Sequence, residues 1–126
     1  MRKMIEAQNA VAIGAYSHAI DSEGLIYFSG QSPVTKETGK LAEGGIKEQT
    51  EQCFKNLFAV LDAAGLKTDD VQKVNVYLTD MENFAAMNEV YKQQFHTPFP
   101  ARTTVGVASL PLNALVEIEM IARRPR

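Results

Sequence analysis

Cysteine is almost absent from this chain. Cys53 is the single thiol, so no disulfide can form within the chain, and the opening stretch MRKMIEAQNA contains no unbroken apolar run of signal-peptide length. A reducing, cytoplasmic setting is therefore expected, with no membrane partner. Histidine is scarce as well. His18 and His96 show no ligand spacing with each other or with Cys53, so no metal site is expected. A basic excess is also missing: 13 Lys and Arg stand against 15 Asp and Glu, a formal charge of −2. That balance offers little to a phosphate backbone and disfavours nucleic acid as a partner. No repeat, low-complexity tract or linker divides the sequence. The glycines around Ser29-Gly30-Gln31 and Glu43-Gly44-Gly45 do not form a phosphate-binding loop. What remains is a single domain spanning residues 1–126. A chain of 126 residues that is 45% hydrophobic can bury roughly two thirds of its unfolded surface, so it needs no metal or cross-link for stability.

The patterning predicts an α+β domain. SHAID and LIYFSG flank the turn residues Asp21-Ser22-Glu23-Gly24 and read as a hairpin, with Gly24 supplying backbone freedom. A Gly- and Thr-rich loop, QSPVTKETGKLAEGG, is expected to run over the surface. From Ile46 to Ala64, Ile46, Cys53, Leu57, Val60, Leu61 and Ala64 recur at helical spacing, and Gly65 stands where such a helix would end. VQKVNVYL alternates as a strand. Asp80 can cap a second helix, with Phe84, Met87, Tyr91 and Phe95 on one face. RTTVGVASL and ALVEIEMIA supply two closing strands.

Alternation divides the sheet into two faces. One carries Ile26, Phe28, Val74, Val76, Leu78, Val116, Ile118 and Met120, and with them, on this reading, Thr103, Val105 and Val107; two helices would cover it. The other carries Leu25, Tyr27, Lys73, Asn75, Tyr77, Leu115, Glu117, Glu119 and Ile121, together with Arg102 and Thr104. This second face is too apolar for water and too charged for a core. The expectation is that it meets another subunit.

Several side chains have both a plain and a functional reading. Arg102 is either a rim arginine paired with a nearby carboxylate or a clamp whose planar fork takes a ligand carboxylate. Glu117 and Glu119, two apart on one strand face and about 7 Å from each other, are either partners for cations across the sheet or a base that holds and deprotonates water. Tyr16 either covers the core or offers its hydroxyl to a small ligand. His18 reads as a strand residue and His96 as a helix-end residue. Cys53 falls on the apolar stripe of its helix and reads as a buried, inert thiol. The terminal Ala122-Arg123-Arg124-Pro125-Arg126 reads as a solvated tail.

Taken together, AIGAYSHAI, FSGQSPVTKETGKL, NLFAVLDAAGLKTDDVQKVNVYLTDMENFAAMNEVY, FPARTTVGVASLP and VEIEMIA resemble the Rid (reactive intermediate deaminase, or YjgF) family nearly end to end and in the family's order. The resemblance implies a two-layer sandwich like the chorismate mutase of bacilli, with a mixed sheet and two helices on one face, assembled as a homotrimer with clefts between subunits. It also implies cofactor-independent hydrolysis of reactive enamines and imines, such as 2-iminobutanoate and 2-iminopropanoate, to 2-keto acids and ammonia. In that scheme Arg102 clamps the substrate carboxylate and Glu117 positions or activates water. Tyr16, Ser29, Gly30, Asn88 and Thr104 would lie in the substrate cleft.

Two departures from the family pattern stand out. Gly14-Ala15-Tyr16 replaces a common Gly-Pro-Tyr, which frees the backbone that proline would fix. Thr104 stands where many members have cysteine, so no nucleophilic thiol is available there. Other members carry other descriptions, which keeps alternatives open: a non-catalytic trimer that binds small carboxylates or regulates, and, with less behind it, a ribonuclease or translation inhibitor.

Overall fold

The computed structural model describes residues 2–7 and 14–126; Ala12 and Ile13, which open the AIGAYSHAI stretch, lie outside them. Among the described residues six strands form one sheet: β1 (Lys3–Ile5), β2 (Ala19–Ser22), β3 (Leu25–Gln31), β4 (Val71–Leu78), β5 (Ala101–Gly106) and β6 (Val116–Arg123). Two helices, α1 (Ile46–Ala63) and α2 (Phe84–Tyr91), pack on one face. The strand order is β1-β2-β3-β6-β4-β5. Only β4 and β5 run parallel; the other pairs are antiparallel. This is a two-layer α+β fold with a mixed sheet.

Local chemistry accounts for the boundaries. The β2–β3 turn places Glu23 at φ 54° and Gly24 at φ 91°, and the Gly24 N–H donates to Asp21 Oδ1 at 2.8 Å. α1 starts where the Glu48 carboxylate reaches back to the Gly45 N–H at 2.8 Å. It ends at Gly65, which takes φ 74° as a left-handed cap. Asp80 Oδ1 accepts from the Glu82 N–H at 2.9 Å and caps a short turn leading into α2. α2 is shorter than its apolar pattern suggested. Phe95 lies four residues past its end yet still packs on Phe54 and Tyr91, with ring centroids 5.7 and 5.4 Å away. Exposed His96 is likewise beyond the helix. His18 precedes β2, buried, with Nδ1 accepting from the Ala7 N–H at 3.2 Å.

The core forms between the helices and one sheet face. Ile26, Phe28, Val74, Val76, Leu78, Val116, Ile118 and Met120 meet Cys53, Phe54, Leu57, Val60 and Leu61 of α1 and Met87 and Tyr91 of α2. Cys53 is fully buried, and that burial pushes its thiol well above the ordinary value, leaving it neutral and inert. The C-terminal arginines are more than a solvated tail. Arg124 donates from Nε to Asp21 at 2.9 Å and from a terminal nitrogen to the Ala64 carbonyl at 2.6 Å, tying the hairpin turn to the end of α1.

The opposite sheet face is uncovered in the single chain. Met4, Tyr27 and Val105 are 60%, 46% and 41% exposed there.

β5 corrects the face assignment made from the sequence. Its parallel register sets Arg102 beside Val74 and Thr104 beside Val76, so both face the helix layer, while Thr103 and Val105 face the open side. Val107 lies past the strand end, its N–H on the Leu78 carbonyl at 2.8 Å. The apolar pattern misled because β5 is an edge strand. On that side it meets α2 and the turn before it, and an arginine stem can lie against the helix with its charged end outward.

Candidate active site

Glu117 lies in a cleft of about 390 Å³ on the open face. A bulge builds the cleft: β3 pairs with β6 through Phe28 and Met120, then through Gln31 and Ile118. One extra residue is thereby accommodated in β3, at Ser29-Gly30. Gly30 has no side chain to meet the carboxylate. A Cβ built there would stand 2.5 Å from Glu117 Oε2, so the acid occupies the space that any other residue would fill. The Ser29 hydroxyl donates to the Ser17 carbonyl at 2.6 Å and its N–H to the His18 carbonyl at 3.0 Å. Those bonds secure the segment that carries Tyr16 to the cleft wall.

The two acids of VEIE play different parts. Glu119 accepts a hydrogen bond from the Tyr77 hydroxyl, and that bond, more than burial, pushes the Tyr77 pKa up to about 12. Glu117 faces the cleft. Burial first, and then the neighbouring Glu119 charge, raise its pKa, while a hydrogen bond with Ser32 acts in the opposite direction. A raised carboxyl of this kind suits a general base.

Arg102 belongs to a second opening, of about 450 Å³, lined by Asn88, Tyr91, Lys92, Phe99 and Pro100. One terminal nitrogen donates to Asn88 Oδ1 at 2.7 Å. The guanidinium lies 4.5 Å from the ring centroid of Tyr91 and 5.4 Å from that of Phe84. Asn88 and the two rings fix the plane of the fork, and its remaining N–H groups have no partner among the described residues. Burial lifts the Tyr91 hydroxyl to a pKa of about 12, partly countered by the Arg102 charge.

Sequence reasoning expected Arg102 and Glu117 on one face, working side by side. Within one chain they are on opposite faces of the sheet. Across β6, β4 and β5, Glu117 aligns with Tyr77 and Val105, whereas Arg102 aligns with Val74 and Met120. Tyr16, Ser29 and Gly30 gather with Glu117, and Asn88 with Arg102. Thr104 lines neither opening; its hydroxyl is buried without a hydrogen-bond partner among the described residues. The sequence reading missed Ser32 and Val34, from the loop expected merely to cross the surface, and Pro111 and Leu112, all of which line the Glu117 cleft. It also missed Tyr91 and Phe84 as the seat of Arg102, having assigned both to the core. Leu112 and Asn113 both take left-handed φ, 60° and 59°, in a turn beside the cleft. No group of three or more His, Cys, Asp or Glu among the described residues could hold a metal ion. None of the described helices is long and apolar enough to cross a membrane.

The fold defines a class: a two-layer α+β domain with a carboxylate cleft on one sheet face and an arginine pocket on the other. The model of the family described as Endoribonuclease L-PSP matches residues 7–124, and the chain belongs to this family, also called Rid or YjgF. A 2-iminobutanoate/2-iminopropanoate deaminase of Dermatophagoides farinae is 46% identical over 109 residues, 86% of this chain and 85% of the relative. Among solved structures, RidA from the Antarctic bacterium Psychrobacter sp. PAMC 21119 is similar, with TM-score 0.92 and 44% identity over 97% of this chain and 99% of that one. Escherichia coli TdcF with bound serine is also similar, with TM-score 0.91 and 40% identity over 98% and 99% of the two chains.

Proposed function

We propose that this protein hydrolyses reactive imines of 2-keto acids, releasing the keto acid and ammonia, at sites completed between copies of the chain. Family membership and the name of the deaminase relative support the reaction class. The observation that carries the mechanism is the half-buried Glu117 above Gly30, its carboxyl raised toward the range of a working base. An imino acid presents a carboxylate beside a C=N bond. Arg102 holds that carboxylate with the N–H groups left open by Asn88 and Tyr91, and the reacting carbon is thereby oriented. Glu117 accepts a proton from water as the water oxygen bonds to the imine carbon; the C=N electron pair moves to nitrogen, and Glu117 hands the same proton on to that nitrogen. In the resulting carbinolamine the hydroxyl proton passes through Glu117 to the amine, the C–N bond breaks, ammonia leaves and the ketone remains. Every group this sequence needs is a side chain or water.

Because Arg102 and Glu117 face opposite sides of one sheet, the reading requires the arginine edge of one copy to meet the Glu117 cleft of another. The exposed apolar residues of the open face, Met4, Tyr27 and Val105, suit such an assembly.

The test couples a threonine dehydratase to threonine, traps residual imine with semicarbazide and follows keto-acid release. Wild type is expected to accelerate release, and Arg102→Ala and Glu117→Gln are expected to abolish the acceleration. An undiminished Glu117→Gln protein would falsify the role given to Glu117. A second reading draws on the serine-bound relative: a trimer that binds a small carboxylate without converting it. It predicts Arg102-dependent ligand binding with no acceleration by wild type. RNA cleavage has less support, because the formal charge of −2 supplies no basic excess for RNA.

A further inference from the structure

Two amide side chains of α1 are buried against the sheet layer, where hydrocarbon would cost less. Gln49 is 6% exposed and Asn56 2%. They are two helical turns apart and share one face. Asn56 Nδ2 donates to the carbonyls of Ser32 and Val34, at 3.1 and 2.9 Å. Its Oδ1 accepts from Gln52 Nε2 at 2.8 Å. Gln49 Oε1 accepts the Leu115 N–H at 2.8 Å. A buried amide must recover its lost hydration bond by bond, and these bonds all lead to one place. Ser32 and Val34 line the Glu117 cleft, and from that wall the Ser32 side chain pulls the Glu117 pKa down against the effect of burial. Leu115 enters β6 two residues before Glu117. Residues 32–34 have left the sheet after β3; the Ser32 and Pro33 carbonyls also accept the N–H groups of Val34 and Ala42, each at 2.8 Å, and the Val34 carbonyl is the one of the three for which Asn56 is the sole hydrogen-bond donor among the described residues.

We infer that Asn56 is a positioning residue for Glu117. By holding the Ser32 and Val34 carbonyls it sets the Ser32 side chain in the cleft wall beside the carboxylate, while Gln49 holds the Leu115 N–H two residues before Glu117. The ionisable groups around that carboxylate are Glu119 on β6, Tyr77 on β4, Tyr16 ahead of β2 and Cys53 on α1. None of these hydrogen-bonds Asn56, whose partners are Gln52, Ser32 and Val34, so the direct link from Asn56 to the cleft runs through Ser32 and Val34. The kinetic part of the inference rests on Glu117 acting as the base; the titration part does not.

The experiment follows the Glu117 carboxyl carbon by NMR titration of the full chain with labelled glutamate, assigned through its loss in Glu117→Gln. Asn56→Leu and Ser32→Ala are both expected to move the Glu117 midpoint upward, and the double variant to move it no further than Ser32→Ala alone. In imine hydrolysis, Asn56→Leu should lower kcat/KM by about 10- to 100-fold, the scale of a misplaced catalytic group. Its rising pH limb should shift upward with KM little changed, since the Arg102 pocket is elsewhere. A lower melting temperature with the Glu117 midpoint unmoved would overturn the inference and leave Asn56 a packing residue. If Asn56→Leu does not fold, Asn56→Ser, which can hold only one of the two carbonyls, undergoes the same titration and is judged by the same outcomes. A shifted midpoint in a protein whose wild type does not hydrolyse imines would sustain the positioning role and remove the proposed function.

Discussion

Glu117 is held in a state that folding alone would not choose. The fold raises the Glu117 carboxyl through burial and the Glu119 charge, so it favours the neutral acid. The sign of the linkage follows. Stability from that preference is fully present below the pKa of an unfolded glutamate and is lost as pH rises through the raised folded value. Glu117→Gln, always neutral, should therefore melt above wild type at neutral and mildly alkaline pH, with the gap closing as pH falls through that window. Wild-type kcat/KM should rise with pH across the same window, because the base must be ionised to work. Calorimetry of both proteins over a pH series checks the first, and initial rates check the second; a variant less stable than wild type at every pH would refute the linkage. Arg102 was legible in the sequence as a clamp candidate, but its immediate partners were not. Tyr91 and Phe84 have helical spacing that reads equally well as core, and only the folded chain shows the guanidinium lying against both rings.

Elements built from local chemistry were the most legible. VQKVNVYL forms a strand over all eight of its residues, and α1 ends within a residue of its expected limit, because alternation and a glycine cap are written within each segment. The facing of β5 was not legible, since it depends on which strand lies beside it; β4 and β5 are joined through α2 and pair in parallel at a sheet edge. The bulge at Ser29-Gly30 was hidden for a similar reason, because it exists only in the pairing of β3 with β6. That bulge supports a prediction. In Gly30→Ala the new Cβ would lie 2.5 Å from Glu117 Oε2 and 3.2 Å from its Cδ. What it meets first is the end of a side chain rather than backbone, so the carboxylate swings away and the fold loses little. Gly30→Ala should lower the melting temperature by only a few degrees, equivalent to about 1 kcal/mol, while kcat/KM falls by about 100-fold. Full activity at a wild-type melting temperature would show that Glu117 need not lie over residue 30.

For the whole molecule, the decisive fact is that one sheet separates the two groups the proposed chemistry needs. Glu117 shares the open face with Tyr77 and Val105, and Arg102 shares the helix-covered face with Val74, so no side-chain rearrangement within a chain brings them together. A second copy resolves this if its β5 edge and α2 approach the Glu117 cleft. The open face, with Met4, Tyr27 and Val105 exposed, is the apolar surface such an association would cover. Sedimentation at micromolar concentration should then show an oligomer and no stable monomer. Function provides the sharper test. Arg102→Ala and Glu117→Gln should each be inactive alone, since every site in either homo-oligomer lacks one group. When the two are unfolded, mixed and refolded together, some interfaces pair an intact Arg102 from one copy with an intact Glu117 from another. Activity should return in the mixture, to a fraction of wild type set by the number of such interfaces, and should be absent from a mixture of separately refolded variants that cannot exchange subunits. If the two groups instead acted within one chain, every chain in the mixture would lack one of them, and no activity would return at any mixing ratio.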